Sequence, residues 1–401
     1  MRKISYPKDV EQLKWEYYDT FIYQLDSLNE KWEVLRDELI NSCAGTVYET
    51  NAETIFPDKI ETILIADYSQ LVDIYIAYRE LIKNNKISDN LHARLNKCFN
   101  YSGDNEWFKD FQPNISQFFM KHAEELNLHV CHYCELSYIN VYGFYSVYQD
   151  FTTFLYKASN KELSKYIRTS DGNPYNDKFY QKIIRLRADP HVTHENIVEQ
   201  FDNLDKRIKN HGKKSEAIIK KLKNHFDLDH FLPKSKCPLV ALSLMNFVPC
   251  CPICNEKLKK DDELGGLDKA ALLKLSPTSV DYNFDKNVEI RVICNNGPNG
   301  LLAQKHSDDY IIKFCTNDKE YQEEIIDEFH LDERYNYHKC EALRLQDLML
   351  NYPKEKIQAM SLALKGYRTE IEISEDLFGS RFTEEHHRCF EKLRRDILST
   401  Y

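Results

Sequence analysis

Apolar residues recur every three or four positions through Val10, Leu13, Tyr17, Phe21, Leu25, Leu28, Trp32 and Leu35, with charged residues between them. That period fits the 3.6-residue turn and predicts one long amphipathic helix. A second stripe, Ile60, Ile63, Leu64, Tyr68, Leu71, Ile74, Tyr75 and Tyr78, predicts a helix from Pro57 to Lys83, with Pro57 and Asp58 suited to its first turn. Shorter helices are expected over Ser88 to Cys98 and within Trp107 to Asn127. Residues 1–127 therefore read as a helical domain whose stripes serve packing and carry no chemistry.

From Leu128 to Asp262 the pattern shifts to short strand-like runs, cysteine pairs and a lysine-rich segment, interrupted by a mostly helical insertion over about 151–224. Gly172-Asn173-Pro174 and His211-Gly212 mark breaks inside that insertion. Residues 263–401 predict a two-stranded hairpin, Val288 to Cys294 with Tyr310 to Cys315, the turn-rich Asn295 to Gly300 opening the connection. Helices over Asn317 to His330, Asp332 to Asn351, Lys354 to Tyr367 and Thr383 to Leu398 close the chain. The expected fold class is α+β, predominantly helical, with the chemistry in the middle stretch.

Composition narrows the function classes. The 401 residues suffice for about two or three domains, and 12% aromatic content excludes disordered and collagen-like chains. The most apolar stretch, Thr62 to Leu81, carries Asp67, Asp73, Arg79 and Glu80, so no membrane span is expected. The first residues lack the apolar run of a secretory signal, and a cytoplasmic location follows as an expectation. A net charge of −10 means that any contact with nucleic acid must come from a local basic strip. Residues 1–127 hold 14 basic against 22 acidic residues, whereas Lys206 to Lys223 holds eight basic residues against Glu216 alone. Within that strip Lys213, Lys214, Lys220 and Lys221 are candidate phosphate contacts, as is Lys234 further on, with Lys236 beside it.

Among 12 cysteines two C-x-x-C pairs stand out, Cys131 with Cys134 and Cys251 with Cys254. Each turn brings two sulfurs to one ion, and two turns complete a closed tetrahedral set, the pattern of a structural Zn²⁺. A redox pair is the alternative, and the neighbouring Cys250 is a competing ligand. His129 and His132 are weaker candidates. Just before the second pair, the alternation Phe226, Asp227, Leu228, Asp229 suits a strand that delivers Asp229 and His230 to its end. Asn246 follows 16 residues after His230, and Asn255 comes directly after Cys254. The unit thus reads as strand, loop, strand, helix.

The order Asp-His, Asn, then Cys-x-x-Cys-Asn-x-Lys resembles the HNH endonucleases of the ββα-metal, or His-metal finger, superfamily, densely over Asp229 to Lys257 and with the first knuckle. The resemblance implies that His230 is the general base that activates water, that Asp229 and Asn255 hold a Mg²⁺ or Mn²⁺ ion, and that Asn246 ties the loop so that His230 stays aimed. Lys257, or its neighbours Lys259 and Lys260, would touch phosphate, and Asp227 would be a strand-face or supporting acid. The implied substrate is nucleic acid, read here as DNA, cut by in-line attack on a phosphodiester. Phrases such as CHYCELSYIN and FHLDERYNYHK look like bacterial HNH proteins, some of which serve anti-phage defence beside an ATPase, as in Septu-type and retron-linked systems. A zinc-stabilised nucleic-acid-binding or assembly module with a vestigial nuclease site is the rival reading. Compact family members have a short segment between the first knuckle and the Asp-His strand, whereas about 90 residues intervene here.

Overall fold

The computed structural model describes residues 2–21, 25–99, 111–143, 151–166, 178–189, 191, 222–294, 307–364, 367–378 and 388–399. These residues are predominantly helical, with three antiparallel strand pairs. Val141–Gly143 (β1) pairs with Leu222–Asn224 (β2), Asp227–His230 (β3) with Phe247–Cys250 (β4), and Glu289–Cys294 (β5) with Tyr310–Cys315 (β6). The chain divides into two compact units, Met1–Asn140 with His225–Tyr401, and Val141–Asn224. Outside the second unit, the three stretches read from the sequence share the first. No helix among the described residues is long and apolar enough to cross a membrane.

Two predicted helices are broken. The first splits into Val10–Asp19 and Leu25–Ser42, and Thr20 marks the end of the first piece, its hydroxyl donating to Tyr17 O at 2.7 Å in competition with the backbone ladder. The second splits into Ile60–Leu64 and Tyr68–Lys83. The backbone leaves helical geometry at Ile65, and the new helix begins at Asp67, whose N–H donates to the Gln70 side chain at 3.0 Å. The apolar stripe runs through both breaks because the pieces bury onto one core. Asp332 to Asn351 likewise divides, into Leu331–Tyr337 and Cys340–Asn351. The expected hairpin forms as β5–β6, with Ile290 opposite Phe314 and Val292 opposite Ile312. Over Asn317 to His330 only Lys319–Tyr321 and Gln322–Asp327 are helical, and the last helix is Glu391–Ser399.

The helices of the first 127 residues do not stand apart from the middle stretch, because they hold the loop between β3 and β4. Tyr17 donates to Leu242 O at 2.7 Å and Ser243 donates to Ile63 O at 2.9 Å. Tyr68 packs edge-on against Phe231, and Phe119 against Phe247. Every residue from Leu239 to Cys250 is buried, so this loop is core. Each large side chain in that contact contributes roughly 1.5–3 kcal/mol by leaving water, which makes the loop among the stiffest parts of the unit.

Candidate functional site

The two C-x-x-C turns converge. The sulfurs of Cys131, Cys134, Cys251 and Cys254 all lie within 4.8 Å of one another, and all four residues are buried. Cys250 is buried but is not in the group; it ends β4 opposite Asp227. The first turn is shaped by Glu135, whose positive φ of 54° lets its N–H return to Cys131 O at 3.0 Å while Leu136 N–H points at Cys134 Sγ at 3.4 Å. In the second, Cys251 N–H donates to Cys131 Sγ at 3.3 Å. Hydrogen bonds from Cys131, Cys134 and Cys254 push the Cys251 thiol down, whereas burial pushes Cys131 up. Four sulfurs at this spacing can hold a metal ion such as zinc. Among the described residues, the cation that reaches the cluster is Arg334, which donates to Cys254 Sγ at 3.4 Å.

His129 and His132 lie outside this set. His129 Nε2 stands 3.8 Å from Glu124, and His132 is turned to Arg2 O through Nδ1 at 3.0 Å. Burial holds His132 down at about 4 and therefore neutral. The first knuckle is also a hub, since Arg2 N–H reaches His132 O, Tyr335 donates to Cys134 O at 2.9 Å, and Lys392 N–H donates to the buried Glu135 carboxylate at 3.1 Å.

The hairpin places its residues as follows. In the register of β3 and β4, Asp229 faces Val248 and His230 faces Phe247. Asn246, fully buried, accepts from Leu232 N–H at 2.8 Å and donates to Leu232 O and Val240 O, each at 3.0 Å. Those three bonds close the loop from Phe231 to Met245 across its own width. The loop in turn offers Ala241 O to His230 Nε2 at 2.8 Å. A carbonyl only accepts, so Nε2 carries the proton and Nδ1 carries the lone pair. Burial, with Lys234 and Lys259 nearby, lowers this imidazole to about 3, so it stays uncharged at neutral pH.

The remaining polar groups take separate partners. Asp229, 3% exposed, accepts from Tyr133 Oη at 2.5 Å and lies 3.1 Å from the ammonium of the fully buried Lys259. Lys259 also donates to His230 O at 2.8 Å. Asn255 donates through Nδ2 to Asp227 at 3.3 Å, and burial raises the Asp227 carboxyl above its ordinary range. Among the described residues no hydrogen bond joins the side chains of His230, Asp229 and Asn255. Lys257 is exposed on the helix and Lys234 half-buried near Asp261, a placement open to an anion, whereas Lys259 is sealed inside and cannot be the surface phosphate contact that the sequence allowed. Lys213, Lys214, Lys220 and Lys221 lie outside the described residues; of the basic strip only Lys223 is described, exposed on β2.

Sequence reasoning gave Lys259 a phosphate-contact role instead of an internal one and missed Tyr133 and Arg334. The signal that could have found Lys259 is the pair Asp227 and Asp229 on one strand face, which needs a cation from whatever packs over it. No family model, curated protein or solved structure matches the chain.

Proposed function

We propose that this chain is an HNH-type endonuclease that hydrolyses phosphodiester bonds in nucleic acid, with DNA as the expected substrate, with His230 as general base and a structural Zn²⁺ on Cys131, Cys134, Cys251 and Cys254. The observation that carries the reading is the imidazole of His230, oriented through Nε2 by Ala241 O inside a loop that Asn246 ties. A base fixed through one nitrogen keeps its tautomer and its aim. His230 would take a proton from water through Nδ1 as the water oxygen bonds to phosphorus, and the P–O bond to the departing 3′ oxygen breaks in line. Burial keeps the acceptor uncharged and at the same time makes it a weak base, which puts the demand on its positioning.

The family resemblance calls for Mg²⁺ or Mn²⁺ on Asp229 and Asn255. The donor set does not fit such an ion as folded: Asp229 is sealed and already neutralised by Lys259, and Asn255 turns its amide N–H₂ toward Asp227. No step of the hydrolysis is therefore drawn through a divalent ion. The same sealing favours the second reading, a zinc-stapled nucleic-acid-binding or assembly module. A place beside an ATPase in a bacterial defence system remains an expectation of the resemblance.

Plasmid cleavage by purified protein, with Mg²⁺, with Mn²⁺ and with neither, decides between them. The nuclease reading expects cutting that His230→Ala abolishes with zinc content and melting unchanged. Equal behaviour of wild type and His230→Ala under every condition leaves the binding module. Charge reversal at Lys213, Lys214, Lys220 and Lys221 should weaken binding and flatten its salt dependence, and an unchanged slope removes the strip from the interface.

A further inference from the structure

The carboxylate that the resemblance assigns to a metal already has a cation of the chain's own. Lys259 brings three N–H donors, and three acceptors surround them: Asp229 Oδ2 at 3.1 Å, Asp229 Oδ1 at 3.3 Å and His230 O at 2.8 Å. Tyr133, stacked on Phe329 with ring centres 4.6 Å apart, adds a third contact to the carboxylate. Neither member of the ion pair reaches solvent to any extent. The helix that delivers the lysine, Ile253–Lys259, is wound wide, with Lys260 N–H donating to Asn255 O five residues back at 2.8 Å. In so wide a turn, residues four apart lie nearly above one another, so Asn255 stands over Asp227 and Lys259 over Asp229. The turn ends in strain: Lys260 has φ 52° and ψ −119°, a region side-chain-bearing residues rarely adopt.

We infer that Lys259 stands in for a divalent cation at Asp229, as a positioning residue that neutralises the carboxylate and pins the Asp229-His230 end of β3. Its catalytic meaning rests on the nuclease reading; its electrostatic content does not. Asp229 in the native protein is then an internal anion rather than a metal ligand, and Mg²⁺ or Mn²⁺ has no place on it while Lys259 is present.

Mn²⁺ binding, read by loss of the free-ion electron paramagnetic resonance signal on zinc-loaded full-length protein, tests this without reference to activity. Wild type and Asp229→Asn should bind Mn²⁺ alike. Lys259→Ala should gain one site at least tenfold tighter than any in wild type, the Lys259→Ala, Asp229→Asn double variant should lose it, and Lys259→Arg, which keeps the charge, should not gain it. One Mn²⁺ bound by wild type and lost in Asp229→Asn overturns the inference, as does a folded Lys259→Ala protein that gains no site. If Lys259→Ala does not fold by circular dichroism, the comparison of wild type with Asp229→Asn decides alone. Plasmid cutting that requires His230 together with a wild-type Mn²⁺ site on Asp229 would sink this inference and leave the nuclease reading standing; equal Mn²⁺ binding with no cutting would do the reverse.

Discussion

The thiol cluster and the Asp229 pocket lie at the two ends of the short Ile253–Lys259 helix, both bury negative charge, and they balance it by different means. At Asp229 one carboxylate meets one ammonium, and the account closes within the chain. At the cluster four sulfurs converge, with Arg334 the cation in reach among the described residues, so the set could bind a metal ion such as zinc. Burying an uncompensated charge costs several kcal/mol, so any thiolates formed there call for a cation, as the Asp229 carboxylate does. Where the fold supplies the cation, the site is sealed; where it does not, the site has the makings of a metal centre.

The largest effect should come from breaking the cluster. Cys251→Ser or Cys131→Ser should release about one zinc by elemental analysis and abolish cooperative melting, since structural zinc binding supplies about 10–16 kcal/mol in small zinc domains. Unchanged zinc content would remove the cluster as a metal centre. Next in size is the internal pair: Lys259→Met leaves Asp229 buried and unpaired and should lower stability by about 3–5 kcal/mol in urea denaturation, with Asp229→Asn in the same protein restoring most of it. A loss equal in the single and double variants would mean that packing of the lysine stem, not its charge, matters there. Asn246→Ala strands the N–H and the carbonyl of Leu232, leaves Val240 O with only the longer bond from Ser243 N–H, and should cost about 2–4 kcal/mol. A melting temperature within a degree of wild type would free the loop from that tie.

The smallest effect is a proton. The pKa of His230 lies near 3 in the folded chain and about 6.5 when exposed. The unfolded state therefore binds the extra proton first, so this residue's contribution is intact above about pH 6.5 and is lost as the pH falls toward 3. Nitrogen chemical shifts should show the ring neutral at pH 5 with the proton on Nε2. A protonated ring at pH 5 would contradict its burial.

Much of this hairpin was legible because its chemistry depends on spacing. Two C-x-x-C turns can bring four sulfurs toward a shared centre, and an asparagine between two strands has loop backbone within reach. The placement of Asp229 was read correctly as the end of β3, but its partner was not, because Lys257, Lys259 and Lys260 look alike in a row and only the width of the helical turn decides which one points inward. Tyr133 lies between two ligands of a knuckle and drew no assignment from the sequence, although its hydroxyl donates to the carboxylate. The helix breaks at Thr20 and Ile65 were hidden for another reason: a stripe records which side of the chain is buried, and both pieces of each helix bury the same side.

The β1–β2 pair also bears on how such a chain can change over time. Val141 lies opposite Asn224, and just beyond them His225 N–H donates to Asn140 O at 3.0 Å, so the polypeptide leaves and re-enters through one doorway. The 116 residues that separate Cys134 from Cys251 along the sequence therefore set no distance between the two knuckles in space. A turn of about two to five residues joining Gly143 to Leu222 would close the two strands as an ordinary hairpin.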